Sequence, residues 1–590
     1  MMWTVCLILA LSLFAVVSVF AYIRRKSKYR RGRLLTPMHF MVLASVLSAA
    51  VLIFPWCYES YGGAIGQASA TTIFRTIGLF LADSDMLNLF ENLPEMASWV
   101  RVGYVVWYSI LIVMLPFFSF GFLLSFFKNL SAYRRYFLHY FYDCYVFSEL
   151  NERSMALAES LHENQPKGRF FVFTDVYEQE EEAYCELIER AKALNAVFFR
   201  KDIATINFSF HSKKKELVFF TLGEDQTENS IQAMQLVQRT KRKGHTHLYV
   251  LSQQEEAELL MSKAYDLAGD SDIKIRRVNN VRSLVYRTLY EKGYEKIFQS
   301  ALPAEDGMKE INVLIVGMGR YGTEMAKALP WFCQMDGYRV RIDVFEVAKD
   351  AKARFTAMCP ELMEFEKRAA IETEDRYTIE IHDGCNVESA DFLKMVDELP
   401  LTTYAFVSLG DDAKNVAQAM KLRTYFARRN LSPVIQSVVY NTEKSKNLKG
   451  LHNYRGQSYD IDYIGDRQSS YSEDVIMYME VEDLALQRHL KWGDEQDFWK
   501  FDYNYRSSIA SAIHHEMKIQ CGIPGADQAP DERSDADRVA LRILEHRRWN
   551  AFMRSEGYSY NPVRNVLAKT HHCLVPFWEL DEKEQAKDDD

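Results

Sequence analysis

"INVLIVGMGRYGTEMAKAL", residues 311–329, reads as a β-branched run, a glycine-punctuated turn and the opening of an amphipathic helix. Ile311 to Val316 is a short run, apolar except at Asn312, as expected of a strand buried on both faces. Gly317, Gly319 and Gly322 follow at G-x-G-x-x-G spacing, with Arg320 inside the loop, directly before the helical stretch. Gly317 permits the tight turn, Gly319 lets a pyrophosphate approach the backbone, and Gly322 lets the helix pack close to the sheet. The motif alone is weak; its place between a strand and a helix gives it weight. The next strand ends at Glu346, an acid that can bind ribose hydroxyls, although the gap from the glycines exceeds the usual spacing. Asp343 on the same strand is the weaker candidate.

Outward from this stretch, strands and helices alternate twice. "DCYVFSEL", "GRFFVFTDV", "NAVFFRKD", "KELVFFTLG" and "HTHLYVLS" come first; "INVLIVGMG", "RVRIDVFE", "YTIEIHDG", "TYAFVSLGDD" and "SPVIQSVVY" restart the order. Two tandem doubly wound α/β domains are expected. A repeated phrase supports the pairing: "LGEDQTENSIQAMQL" from Leu222 and "LGDDAKNVAQAMKL" from Leu409. Matched through their helices, the two copies differ at the chemistry. Gly317, Gly319 and Gly322 fall on Glu149, Asn151 and Ser154, whose side chains would obstruct a phosphate and, at Glu149, repel it. The first copy is expected to be structural or a domain contact, and Asp175 at the end of its second strand is not assigned a ligand.

The chain has 590 residues, 48% of them hydrophobic, and a formal net charge of -9, so several cores are expected and general nucleic-acid binding is not. Its nine cysteines show no C-x-x-C pair and no Cys/His cluster at metal-ligand spacing, so neither disulfides nor a metal is expected. Trp3 to Tyr22 is an apolar run of spanning length followed by Arg24, Arg25, Lys26, Lys28, Arg30, Arg31 and Arg33. A signal peptide carries its positive charge before the apolar stretch, so this order favours a membrane helix. Pro37 to Tyr58 and Val102 to Phe127 are two further spans. With Lys128, Arg134 and Arg135 after the third span, the positive-inside rule puts the N-terminus outside and everything beyond 128 in the cytoplasm, on an inner (plasma) membrane.

Between the second and third spans lies "ATTIFRTIGLFLADSD", residues 70–85, whose apolar part is too short to cross a bilayer. It reads either as a re-entrant pore helix or as a helix lying at the surface. In a pore, Thr76-Ile77-Gly78 would stand where a carbonyl filter sits, without the second glycine of a potassium filter, and Asp83 and Asp85 could form an acidic ring for cations.

The second α/β copy resembles the regulatory domains of potassium channels and Trk-type potassium transporters, the RCK or KTN (TrkA-N) family, over about 135 to 490 when both copies are taken together. The residues that carry the resemblance are Gly317, Gly319, Gly322, Glu346, His382-Asp383-Gly384, and Asp411-Asp412 with Asn415. The resemblance implies a nucleotide at these positions, whether NAD(H), ATP/ADP or a nucleotide-derived second messenger. No proton-relay constellation of a dehydrogenase follows Asn415, so an enzyme is not expected.

From Asp502 two helical stretches, "YNYRSSIASAIHHEMK" and "DRVALRILEHRRWNAFMRSEGY", precede a segment dense in aromatic and cationic groups. Glu545-His546-x-x-Trp549, Gly557-Tyr558, Lys569-x-His571, Leu574-Val575-Pro576-Phe577 and Leu580 resemble the ryanodine-receptor repeat (RyR) domain over about 502 to 588. That resemblance implies a nucleotide-derived messenger and a setting in bacterial ion homeostasis or phage-defence signalling. Arg547, Arg548, Tyr558, Tyr560, Arg564, Lys569 and His571 are its candidate ligand residues, while Trp549 reads as core.

The expected architecture is therefore three transmembrane helices, two tandem Rossmann-like domains and a small, mostly helical RyR domain. Its boundaries are 1–35 for the first span and basic loop, 36–134 for the other two spans, 135–305 and 306–495 for the α/β domains, and 496–590 for the last. The expected function is a ligand-gated cation channel or pore-forming effector, with a membrane-anchored sensor or adaptor without a pore as the alternative. The expected partners are a small nucleotide, membrane lipid and further copies of the chain, as a dimer or tetramer around one axis, with no nucleic acid.

Overall fold

The computed structural model describes residues 2–26, 37–80, 93–165, 167–177, 181–240, 244–252, 263, 273–363, 376–449, 453–454, 457–477, 481–529 and 531–588. The chain divides into two compact units, Met1–Tyr140 with Val197–Ile206, and Phe141–Ala196 with Asn207–Asp590.

The first unit is helical: α1 (Met2–Lys26), α2 (Pro37–Ser60), α3 (Ile65–Phe80) and α4 (Ser98–Leu138). α1, α2 and α4 each contain a stretch long and apolar enough to cross a membrane, at Met2–Val19, Val42–Ser60 and Ser98–Pro116. α4 continues well past its apolar part, because nothing in "KNLSAYRRYFL" breaks a helix; its 41 residues extend about 60 Å at 1.5 Å per residue. Trp3 meets Tyr104 edge-on at 5.2 Å and Phe14 meets Trp107 at 4.9 Å. Trp107 Nε1 donates to Ser48 Oγ at 2.9 Å, and Ser48 in turn donates to the Ala10 carbonyl at 3.0 Å, joining α4, α2 and α1.

α3 is inside out by the standards of a soluble helix. Ile65, Ile73, Phe74 and Ile77 are exposed, whereas Ala68, Thr72, Thr76 and Leu79 are buried. Its 16 residues reach about 24 Å, short of the ~30 Å hydrocarbon core. The Thr72 and Thr76 hydroxyls donate to the carbonyls of Ala68 and Thr72, both at 2.7 Å, so both are satisfied within the helix. Thr76 and Gly78 therefore lie in helical backbone, which corrects the expectation of a filter string there. A carbonyl filter needs its oxygens turned to the ion, and in a helix they point along the axis to the next turn. Asp83 and Asp85 lie outside the described residues.

The second unit holds two parallel sheets. The first contains β1 (Asp143–Phe147), α5 (Glu152–Asn164), β2 (Arg169–Phe173), α6 (Glu182–Ala193), β4 (Leu217–Thr221), α7 (Gln226–Arg239), β5 (Thr246–Leu251) and β6 (Ile273–Val278), strands in the order β2-β1-β4-β5-β6. β3 (Val197–Phe198), the remnant of "NAVFFRKD", belongs to the first unit. α8 (Asn280–Gly293) leads to the second sheet.

The second sheet runs β7 (Lys309–Val316), α9 (Arg320–Phe332), β8 (Tyr338–Phe345), β9 (Tyr377–His382), α10 (Ala390–Glu398), β10 (Tyr404–Val407), α11 (Asp412–Ala427), β11 (Val434–Val438) and β12 (Asp462–Ile464). Its strand order is β9-β8-β7-β10-β11-β12, the Rossmann-type order, and the topological switch point falls between β7 and β10. Leu314, Val316, Phe345, Ala405 and Val407 from the strands pack with Phe392, Ala419 and Leu422 from the helices as its core.

α12 (Glu482–His489), α13 (Asp502–Gln520) and α14 (Asp535–Ser555) complete the unit, with β13 (Ser559–Tyr560) and β14 (Thr570–His571) after them. Trp331 of α9 lies against Phe552 of α14 with ring centroids 6.4 Å apart. Beside them is a buried ion cluster. Glu556, just past α14, accepts from Arg506 of α13 and lies 3.9 Å from both Lys327 of α9 and Arg282 of α8. Arg282 also holds Glu324 of α9 at 2.9 Å. Burial alone would raise the Glu556 carboxyl; Arg506, Lys327 and Arg282 outweigh it and hold the group well below the usual range.

Candidate functional site

Two places gather the expected residues: the carboxyl edge of the second sheet and a cavity in the C-terminal module.

At the sheet edge, Gly317 leaves β7 with φ +94°, and a Cβ there would meet the Ser408 carbonyl at 2.5 Å. At Gly322 a Cβ would meet the Gly317 carbonyl at 2.0 Å, so the helix approaches the turn as closely as the motif implies. Gly319 is the exposed N-cap of α9 and has no side chain to cap it; the nearest atom to a Cβ there is the Ser408 carbonyl at 3.8 Å. Gly317 and Gly322 therefore hold the geometry, while Gly319 leaves the helix amides open. Arg320 is exposed next to them.

The first copy closes the same position. Asn151 is the N-cap of α5, accepting from the amides of Arg153 and Ser154, both at 2.9 Å, and the Asn151 amide donates in turn to the Ser154 hydroxyl at 3.0 Å. The Glu149 carboxylate folds against Gly223, where a Cβ would come within 2.9 Å of it. Two of the amides that would hold a phosphate are already bonded, and a negative charge lies beside them.

Glu346 accepts from the Met318 amide at 2.6 Å with one oxygen and from the Val347 and Ala348 amides at 2.8 and 3.1 Å with the other. A carboxylate has about four acceptor positions, so three amides leave little for a ribose without rearrangement. Asp383 is exposed and within 3.4 Å of the Lys352 amide. The repeated phrase is structural. Asp411 caps its own helix through the Lys414 amide at 2.9 Å, and Asp412 takes the Tyr440 and Asn441 amides at 2.7 and 2.9 Å. Asn415 is buried; its oxygen accepts from the Leu409 amide at 2.5 Å and its nitrogen donates to the Val438 carbonyl at 2.8 Å. Asp412 and Asn415 thus tie strand ends together, and Asp411 caps its helix.

The C-terminal cavity has a volume of about 550 Å³. Of the expected residues, Arg548, Tyr558, Arg564 and His571 line it, and Arg547, Tyr560 and Lys569 do not. Arg547 turns away to Asp336 at 2.6 Å, the Tyr560 amide binds Glu361 at 2.9 Å, and Lys569 occupies the left-handed region at φ 48°. Trp549, read as core, stands half-buried in the wall with His571 edge-on at 5.0 Å.

Much of the wall was not legible in the motif. Arg488 and Trp492 come from before residue 496, so the expected boundary cuts through the cavity. Arg488 Nε donates to Ser511 Oγ at 2.8 Å, and Ser511 donates to Glu545 at 2.7 Å. Glu545 also accepts from Arg548 Nε and Nη2 at 3.2 and 2.9 Å. Arg548 is 2% exposed, and its Nη1 has no hydrogen-bond partner among the described residues. Burial first, then Arg564, pulls His571 down to about 4, so its ring is neutral near pH 7. Aromatic walls and buried guanidinium groups suit a planar, anionic solute.

Among known proteins, no family model and no curated protein matches the chain, so its functional reading rests on these two sites and on the membrane helices.

Proposed function

We propose that the protein is a membrane effector whose α/β and C-terminal layer binds a nucleotide-type ligand and thereby controls ion passage through an assembly of its membrane helices. The observation that carries this reading is the difference between the two copies: α9 opens on an uncapped Gly319 beside an exposed Arg320, whereas α5 is capped by Asn151. One phosphate-ready helix in a duplicated layer is the arrangement of a sensor in which one half binds and the other scaffolds. The C-terminal cavity supplies a second place for a nucleotide, with rings for a base and arginines for phosphates. The test is twofold. Calorimetric titration of the detergent-purified protein with NAD(H), ATP, ADP and cyclic oligonucleotides should find a ligand, and that ligand should change ion flux in proteoliposomes. No binding to any of them rejects the ligand reading.

A second reading, a membrane-anchored sensor without a pore, is favoured by the helical backbone at Thr76 and Gly78. It predicts ligand binding with no flux at any ligand concentration.

A further inference from the structure

β14 runs into three consecutive residues, His571, His572 and Cys573, that all line the C-terminal cavity. One possible ligand atom from each lies within 4.8 Å of the others. His571 and Cys573 are buried and His572 is exposed, so the group joins the fixed wall to its accessible side. The two imidazoles are stacked, with centroids 5.0 Å apart and planes 8° apart. The Cys573 amide donates to Nδ1 of His571 at 3.1 Å, which folds the cysteine back towards that ring. On its other side the thiol lies 3.4 Å from Glu584 Oε2, while the second Glu584 oxygen is taken by Lys587 at 2.6 Å.

Two imidazole nitrogens and a sulfur form a borderline-soft donor set, which selects zinc-type cations over magnesium or calcium. Bonds of about 2.3 Å to sulfur and 2.0–2.1 Å to nitrogen put tetrahedral ligands roughly 3.3–3.6 Å apart. The cluster must therefore close by about 1 Å at its widest, within reach of a rotation of the exposed His572 ring. Lys587 and Arg564 oppose a cation here; a thiolate and the Glu584 carboxylate each offset one of those charges.

We propose that His571, His572 and Cys573 form a three-ligand site for a zinc-type divalent cation in the cavity wall, with the fourth position turned to the cavity. On binding, the metal–sulfur bond replaces the Cys573 S–H bond, and the proton leaves to solvent by way of Glu584, with no change of oxidation state. The Cys573 amide competes for His571 Nδ1 and is released if that nitrogen coordinates. Water, or an anionic solute also held by Arg548, completes the tetrahedron. The site does not depend on the glycine loop and stands or falls separately from it.

The test uses the full chain in detergent, without a polyhistidine tag, titrated with Co²⁺ and then challenged with Zn²⁺. Expected are one Co²⁺ per chain, a thiolate-to-cobalt charge-transfer band that Zn²⁺ abolishes, loss of that band in Cys573→Ser, and at least tenfold weaker binding in His572→Ala. Because His572 is exposed, its variant keeps the fold, which circular dichroism checks. Absence of the thiolate band in folded wild-type protein, its persistence in Cys573→Ser, or unchanged affinity in His572→Ala overturns the proposal.

Discussion

Asn415 and Asn229 hold equivalent positions in their two sheets. Asn415 bridges the Leu409 amide and the Val438 carbonyl, and Asn229 bridges the Gly223 amide, at 2.8 Å, and the Leu251 carbonyl, at 3.1 Å. Each side chain joins the end of the fourth strand to the end of the fifth. Replacing either by alanine leaves buried backbone groups unpaired, at a cost of about 1–3 kcal/mol each. Denaturant unfolding should show this loss for both variants, with nucleotide affinity of the folded Asn415→Ala protein unchanged.

The three glycines of the loop should separate in mutagenesis. Gly317→Ala and Gly322→Ala place a Cβ 2.5 and 2.0 Å from backbone carbonyls and should lower the melting temperature. Gly319→Asp meets no such obstacle, yet it caps the α9 amides with a negative charge, as Asn151 caps α5 without one. It should fold normally and lose nucleotide binding at the sheet edge by tenfold or more, read by calorimetry.

Neighbouring arginines of α14 should also differ. Arg548→Met removes a guanidinium from the cavity wall, whereas Arg547→Met removes one bound to Asp336 outside it. An anionic ligand of the cavity should bind Arg548→Met at least tenfold more weakly, since charge-assisted hydrogen bonds contribute about 1.5–3 kcal/mol. Arg547→Met should bind it as the wild type does. Because Arg548 also neutralises Glu545, melting curves must accompany the binding data.

One half-buried and one buried histidine predict acid sensitivity. Burial, reinforced by Arg276 and Lys274, takes His247 down to about 4; burial, reinforced by Lys518, takes His514 to about 3. Both values lie below the unfolded value of about 6.5, so above that pH neither costs stability. As pH falls below it, the unfolded chain takes up protons that the folded chain refuses, and stability drops. For His247 the loss reaches about 3 kcal/mol by pH 4, at ~1.4 kcal/mol per unit. His247→Asn should flatten the fall of melting temperature between pH 6.5 and 4.

The repeated α/β order was legible because its strands are long, apolar and bounded by turn residues. The first sheet has one further strand that these signals missed, and the second has two, one of them Leu302–Pro303, which pairs antiparallel with β7. "IKIRRV" at Ile273–Val278 alternates apolar with basic residues as an outer strand does, and Asp462–Ile464 is too short to carry a pattern. The phosphate loop could be read because its function is written in consecutive residues. The cavity could not, because Arg488, Ser511, Arg548 and His571 meet only through the packing of α12, α13, α14 and β14. A run such as Glu545-His546-Arg547-Arg548 does not reveal that its third member turns away from the cavity that its fourth faces.

Glu556 has a practical bearing on how the chain can be divided. Its carboxylate belongs to the C-terminal segment, but its cationic neighbours lie on three helices, one of which opens at the glycine loop. Cutting near residue 496 would leave Lys327 and Arg282 without this anion and Trp331 without Phe552. The C-terminal segment is thus no detachable cassette. Insertions, fusions or natural rearrangements at that border should be tolerated only when the two sides are inherited together.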